Sequence, residues 1–251
     1  MKGAIIGDII GSRFEFNNTE TSDFELFTNQ CSFTDDTICT IAIMEAIMTP
    51  EKDYKASLIK WCRKYPTPMG GYGVSFANWV RSEDPQPYNS FGNGAAMRVS
   101  PVAVAFSPCD AITQAIATAN VSHNHPEGIK GAIATVRAIM ALRASKDKIQ
   151  ALVTEQMFYN PFIHYEKGKF NETCQGTVPV ALRIIDDSCS FEDAIRRTMA
   201  WGGDSDTLGA IVGPMAEVIW GIPEEIEREA MSYLPKEMKV VVDNFYKKYM
   251  L

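Results

Sequence analysis

Gly3-Ala4-Ile5-Ile6-Gly7-Asp8-Ile9-Ile10-Gly11-Ser12 places three glycines at i, i+4 and i+8, with isoleucines filling the positions between them. At 3.6 residues per turn the glycines fall on one helical face. Each costs up to about 1 kcal/mol relative to Ala in a helix interior. A face without Cβ atoms offsets that cost by letting another backbone approach closely. Outward from this segment, apolar residues keep helical spacing through most of the chain. Alternating runs of Val, Ile, Thr and aromatics are nearly absent, so the expected fold is all-α. At 251 residues the chain is long enough to bury its core as one domain over 1–251.

The same spacing predicts helices over 36–50, 54–64, 109–121, 126–145, 147–159, 178–187 and 190–200, and from Asp206 to Ile219. Ser190 and Asp193 have capping-box spacing. Gly221-Ile222-Pro223 ends the Asp206 helix, and two basic-tailed helices close the chain. Between Tyr65 and Val99, four prolines and five glycines predict long loops around a short helix at 76–81. Loops of that length inside a domain are commonly functional.

A hydrophobic fraction of 46% with 22% charged residues describes a globular chain, not a disordered one. The net charge of -7 disfavours nucleic acid as a partner, because such partners call for a basic surface that displaces phosphate counterions. It suits cation binding or simply a solvated acidic surface. Six cysteines without a C-x-x-C pair read as reduced thiols of a cytoplasmic protein. Asp8 interrupts the apolar start, so no signal peptide is expected, and no uncharged run reaches membrane-spanning length. A monomer is the default expectation.

Phe33-Thr34-Asp35-Asp36-Thr37 stands immediately before an apolar helix. Read alone, it is a helix cap or a metal-ligand cluster. The arrangement recurs in Gly202-Gly203-Asp204-Ser205-Asp206-Thr207, again leading into an apolar helix. If the two helix starts meet, four carboxylates and two hydroxyls converge, and cations relieve the repulsion. An oxygen-only set suits Mg²⁺ or Mn²⁺; zinc would favour His and Cys.

Asp8 reads as structural, a carboxylate within an apolar helix that bonds backbone or caps a neighbouring segment. Glu15 reads by default as a surface acid. Ser90-Phe91-Gly92-Asn93-Gly94-Ala95-Ala96-Met97-Arg98 is either a bare-backbone phosphate loop or an Asn-Gly turn before a helix. His123-Asn124-His125-Pro126 is a metal pair or, with Pro126 at the first helical position, a helix-to-helix turn.

In this order and spacing the motifs resemble the ADP-ribosylglycohydrolase family over nearly the whole chain. They run from Gly7-Asp8 to Glu15, then Phe33 to Thr37, Gly70-Gly71-Tyr72-Gly73, Asn93 to Arg98, the His123 turn and Gly202 to Thr207. The resemblance implies a compact orthogonal helical bundle with two divalent cations, Mg²⁺ or Mn²⁺. By motif position it implies Thr34, Asp35, Asp36, Asp204, Asp206 and Thr207 as metal ligands. Ser90, Phe91, Gly92, Asn93, Gly94 and His123 match the ADP-ribose contacts, and Glu15 matches an acid that assists the reaction. His125 receives no role.

The expected activity is hydrolysis of the C1″ glycosidic bond of an ADP-ribosyl group, with ADP-ribosyl-arginine on a protein as the first substrate. Glu15 or Asp36 would serve as proton acceptor. The alternatives are another ADP-ribose linkage, such as ADP-ribosyl-serine or O-acetyl-ADP-ribose, and a non-catalytic ADP-ribose-binding module.

Overall fold

The computed structural model describes residues 1–145, 147–159 and 164–250. Its helices are α1 (Lys2–Gly11), α2 (Asp35–Met48), α3 (Tyr54–Lys64), α4 (Val74–Arg81) and α5 (Gly94–Met97). Next come α6 (Val102–Ala105), α7 (Pro108–Asn120), α8 (Pro126–Ala144), α9 (Lys148–Phe158) and α10 (Cys174–Asp187). The chain closes with α11 (Phe191–Trp201), α12 (Ser205–Trp220), α13 (Glu224–Ser232) and α14 (Lys236–Tyr249). No strand forms among the described residues; Gly92 and Thr173 make an isolated antiparallel bridge. The fold is all-α.

The glycine face of α1 lies antiparallel along α12. Gly3 meets the backbone of Gly213, Gly7 that of Gly209, and Gly11 that of Ser205 and Asp206. A Cβ on Gly11 would sit 2.6 Å from the Asp206 Cα. Without side chains at the crossing the two backbones touch, closer than the usual 8–10 Å between helix axes allows. Both helices are buried nearly throughout, α1 from Gly3 to Gly11 and α12 from Ser205 to Glu217. This contact carries the C-terminal half of α1, with Asp8, to the N-terminal end of α12, with Asp206. Helix α2 is enclosed in the same way, buried from Asp36 to Met44, and packs on α1, α3 and α14.

Several helix ends differ from the sequence reading. Helix α10 starts one turn before Val178, because the Thr173 side chain accepts from the Gly176 N–H at 3.1 Å and supplies a cap. Ser190 accepts from Asp193 N at 3.1 Å, but Asp193 Oδ2 returns to Cys189 N rather than to Ser190. The last two helices are not both basic-tailed: α14 ends on Lys247 and Lys248, whereas α13 has no basic residue in its last turn. The short helices α5 and α6 lack the two turns that a periodic pattern requires, and the spacing did not indicate them. Among the described residues no helix is long and apolar enough to cross a membrane.

Candidate active site

A cleft of about 590 Å³ is lined by Glu15, Asp35, Asp36, Asp204, Asp206 and Thr207, and also by Gly70–Phe76, Ser90–Gly94, Arg98 and His123. The two Asp and Thr motifs and the glycine loops therefore open into one space. The two motifs also touch, since Thr207 Oγ1 donates to Asp36 Oδ2 at 3.2 Å.

Asp8 explains how the start of α2 is left with carboxylates to spare. Its Oδ2 accepts from Thr34 N at 3.0 Å and Thr37 N at 3.1 Å, and its Oδ1 accepts from Thr34 Oγ1 at 2.6 Å. These bonds satisfy N–H groups that α2 cannot satisfy internally. Thr34 makes only a longer contact of its own, accepting from Asp36 N at 3.3 Å. The capping expected of Phe33–Thr37 thus comes mainly from α1, and Asp35 and Asp36 are not consumed by it. Asp36 Oδ1 is buried with no hydrogen-bond partner among the described residues.

Asp8 bonds backbone as the sequence reading expected, yet it is also part of the cluster. One ligand oxygen each from Asp8, Asp36 and Asp206 lie within 4.8 Å of one another, all buried. Asp206 Oδ1 accepts from Thr207 N at 2.9 Å, and Asp204 accepts from Asn93 Nδ2 at 2.7 Å. Asp35 and Asp204 line the cleft outside that triad. Asp8 was expected to be structural only; it holds the triad's third place as well, because one residue performs both tasks.

The electrostatic consequence is large. Burial first, then neighbouring Asp35, Asp8 and Asp204, pushes the Asp36 carboxyl well above the usual carboxylate range. Asp206 is driven the same way by burial, then by Asp204 and Asp36, and Asp35 by burial and then Asp8. Asp8 is pushed up to about 6 by burial, against the lowering effect of its Thr34 and Thr37 bonds. Glu15 rises to about 7 through burial, then Asp204, Asp8 and Glu172.

Carboxylates this close stay ionised at neutral pH only if positive charge joins them. No Lys or Arg side chain is hydrogen-bonded to Asp8, Asp36, Asp204 or Asp206 among the described residues. The donors are carboxylates and hydroxyls, with Asp36 Oδ1 free of any partner. Hard divalent cations fit such a set.

Glu15 owes its place to Gly70. The Glu15 Oε2 occupies the space where a Gly70 Cβ would be, and Gly70 has φ +75°, a left-handed conformation that glycine adopts freely. Opposite, the exposed Asn18 accepts from Gly203 N at 2.7 Å and donates to Gly203 O at 2.9 Å, holding the turn before α12. Phe16 stacks on Phe170 at 5.8 Å beside Glu15 at the cleft rim. Neither Asn18 nor Phe170 sits in a motif, and only the fold reveals them.

In the second half of the cleft, Ser90 Oγ accepts from Gly92 N at 3.1 Å and Phe91 O accepts from Cys174 N at 3.0 Å. Asn93 N donates to Glu172 O at 2.7 Å. A Cβ on Gly94 would lie 2.9 Å from His123 Nε2, so glycine there leaves the imidazole room. The two histidines part company. His123 lines the cleft, whereas His125 Nδ1 accepts from Glu127 N at 3.1 Å as the N-cap of α8, with Pro126 in its first turn.

The family model "ADP-ribosylglycohydrolase" matches residues 1–250. The ADP-ribosyl-[dinitrogen reductase] glycohydrolase of Rhodospirillum rubrum is 23% identical over 88% of this chain and 84% of its own length. The ADP-ribosylarginine hydrolase Tri1 of Pseudomonas putida (strain GB-1) is 23% identical over 92% of this chain and 73% of its own. The ADP-ribosylhydrolase ARH3 of Xenopus tropicalis is 25% identical over 55% and 47% respectively. A solved structure titled "ADP-ribosylglycohydrolase-related protein complex" superposes with a TM-score of 0.75 at 20% identity, covering 98% of this chain and 95% of that one. Its likeness supports the fold alone. With the match running from the glycine face of α1 to the end of α14, the chain belongs to the ADP-ribosylglycohydrolase family and is an enzyme of that class.

Proposed function

We propose that the chain is a divalent-cation-dependent hydrolase that cleaves the C1″ glycosidic bond of an ADP-ribosyl group. Its substrate on this reading is ADP-ribosyl-arginine on a protein, and its product ADP-ribose. The observation behind the reading is the buried Asp8, Asp36 and Asp206 triad, whose Asp36 and Asp206 line the cleft that the Ser90–Gly94 loop and His123 also line. The names of the Rhodospirillum and Pseudomonas relatives favour the arginine linkage.

Two cations, Mg²⁺ or Mn²⁺, would be held by Thr34, Asp35, Asp36, Asp204, Asp206 and Thr207, with Asp8 at their side. When bound they supply Lewis-acid polarisation of ribose oxygens and of water. The protein's own groups do the rest. The Ser90–Gly94 loop receives the diphosphate at Gly92 and Gly94, the two positions of the loop without a Cβ. Glu15, whose Oε2 has no hydrogen-bond partner among the described residues, takes the proton of the attacking water. Asp36 carries the second unpartnered carboxylate oxygen and is the other candidate for that proton.

The test is a panel of ADP-ribosyl-arginine, ADP-ribosyl-serine and O-acetyl-ADP-ribose conjugates, read by free ADP-ribose. Release from the arginine conjugate supports the reading. Release from only one of the others reassigns the linkage. Tight ADP-ribose binding with no turnover of any conjugate in saturating Mg²⁺ and Mn²⁺ makes the chain a binding module.

A further inference from the structure

Arg98 is fully buried, and its hydrogen-bond partners among the described residues are neutral. Its Nη2 donates to Thr118 O at 3.0 Å and to Ser122 Oγ at 2.8 Å, while Nε and Nη1 have no partner among the described residues. A buried cation without a counter-charge costs several kcal/mol unless a field of opposite sign meets it. Arg98 also lines the cleft, with its guanidinium 5.7 Å from the centre of the Phe76 ring. An anionic group bound in the cleft would supply that missing field.

Proton counting on Ser122 then fixes the next residue. An arginine only donates, so Ser122 Oγ accepts from Arg98. Its own hydrogen has one acceptor among the described residues, His123 Nδ1 at 2.8 Å. Were Nδ1 protonated, two donors would converge on Ser122 Oγ and the serine hydrogen would be left buried without an acceptor, a penalty of about 1–3 kcal/mol. Nδ1 is therefore the bare nitrogen, and Nε2 carries the hydrogen. Burial, then Arg98, holds His123 well below the usual imidazole range, in keeping with a neutral ring. Nε2 faces the Gly92 and Gly94 backbone, where added Cβ atoms would lie 3.4 Å and 2.9 Å from it.

We propose that Arg98 and Ser122 are positioning residues that lock His123 as a neutral Nε2–H donor, aimed past Gly92 and Gly94 at a phosphate oxygen of the ligand. Naming the ligand as a diphosphate rests on the function proposed above; the Arg98–Ser122–His123 relay does not. Arg98 brings the positive field, Ser122 sets the tautomer, and His123 delivers one directed hydrogen bond. The ring adds no charge of its own. That division of labour gives an anion site whose donor direction is set by the protein interior rather than by the ligand.

The experiment is nitrogen NMR of the full chain labelled with ¹⁵N-histidine, at neutral pH without ligand, using His123→Gln to assign the ring. The expected spectrum has His123 protonated at Nε2 and bare at Nδ1. Ser122→Thr keeps the hydroxyl and with it the tautomer, and its affinity for ADP-ribose by calorimetry stays within about twofold. Ser122→Ala gives mixed tautomers and about tenfold weaker binding. A wild-type ring carrying hydrogen on Nδ1 overturns the proposal, and that spectrum decides even if a variant fails to fold. So does Ser122→Ala with wild-type tautomer and affinity. If the wild-type tautomer is as expected but ADP-ribose does not bind, the relay stands and the proposed substrate class falls.

Discussion

Thr207 Oγ1 donates to Asp36 Oδ2 at 3.2 Å, joining the start of α12 to the start of α2 across 171 residues of chain. Each of those helix starts, read alone, is either a cap or a ligand cluster. Together they bring carboxylates into a buried space where cations become the natural partners. A direct consequence concerns stability. A ligand present at about 100 times its Kd adds about 2.7 kcal/mol, roughly 5–10 °C in Tm for a chain of this size. Mg²⁺ or Mn²⁺ is expected to raise the Tm of the wild-type chain by that order. Asp206→Ala should lose the rise; differential scanning fluorimetry across a cation titration checks it.

The carboxylates predict a pH dependence of the cation-free protein. Asp8 and Glu15 lie near 6 and 7 when folded, above their ordinary values of 3.8 and 4.5. A raised folded pKa means that the folded state holds the proton more tightly. The contribution is complete below about pH 4 and is lost as pH rises through 6 and 7. Tm measured in chelator should therefore fall across that window, and fall less in Glu15→Gln, which removes one of the two titrating groups. Cations displace the protons, so binding at pH 6 should release acid into weak buffer, measurable by calorimetry in two buffers.

Gly7→Ala tests the crossing on which the site is built. A Cβ at position 7 would overlap the Gly209 carbonyl, and neither helix backbone can yield without moving the other. Overpacking of this kind costs about 1–3 kcal/mol, occasionally more. Urea denaturation should show that loss. Because Asp8 and Asp206 ride on the same two helices, cation affinity should fall in parallel.

Glu15→Gln separates proton transfer from cation binding. The cation-induced rise in Tm should persist, since Glu15 is not in the Asp8, Asp36 and Asp206 triad, while turnover falls about 10²–10⁴-fold. Gly70→Ala should resemble it in turnover, because the new methyl group takes the place of Glu15 Oε2 and the φ of +75° strains any other residue. A Glu15→Gln enzyme with wild-type kcat would remove Glu15 from the chemistry and turn attention to Asp36.

Much of this was legible in the sequence because it is local. The i, i+4, i+8 glycines announced a close backbone contact, although not that α12 would answer with Gly209 and Gly213. The two Asp and Thr motifs were visible as a pair, and the Ser90–Gly94 and His123 segments as ligand-facing candidates. What stayed hidden depends on burial or on contacts distant in the chain. Asp8 looked like a capping residue and is one, but a carboxylate can cap α2 and still face Asp36 and Asp206. Gly70 could be paired with Glu15 only once both were in space, and Arg98 became informative only when its isolation from carboxylates was seen. His125 resolved into the N-cap of α8, leaving the H-x-H spacing without a metal role.

The central claim is that the carboxylate cluster, loaded with cations, releases ADP-ribose. The most direct measurement is ADP-ribose release from an ADP-ribosyl-arginine protein by wild-type chain stripped with chelator and then titrated with Mg²⁺ or Mn²⁺. The account predicts no release in chelator, recovery with either cation, and no recovery in Asp206→Ala. Release at an undiminished rate in chelator, or full recovery by Asp206→Ala, would contradict it.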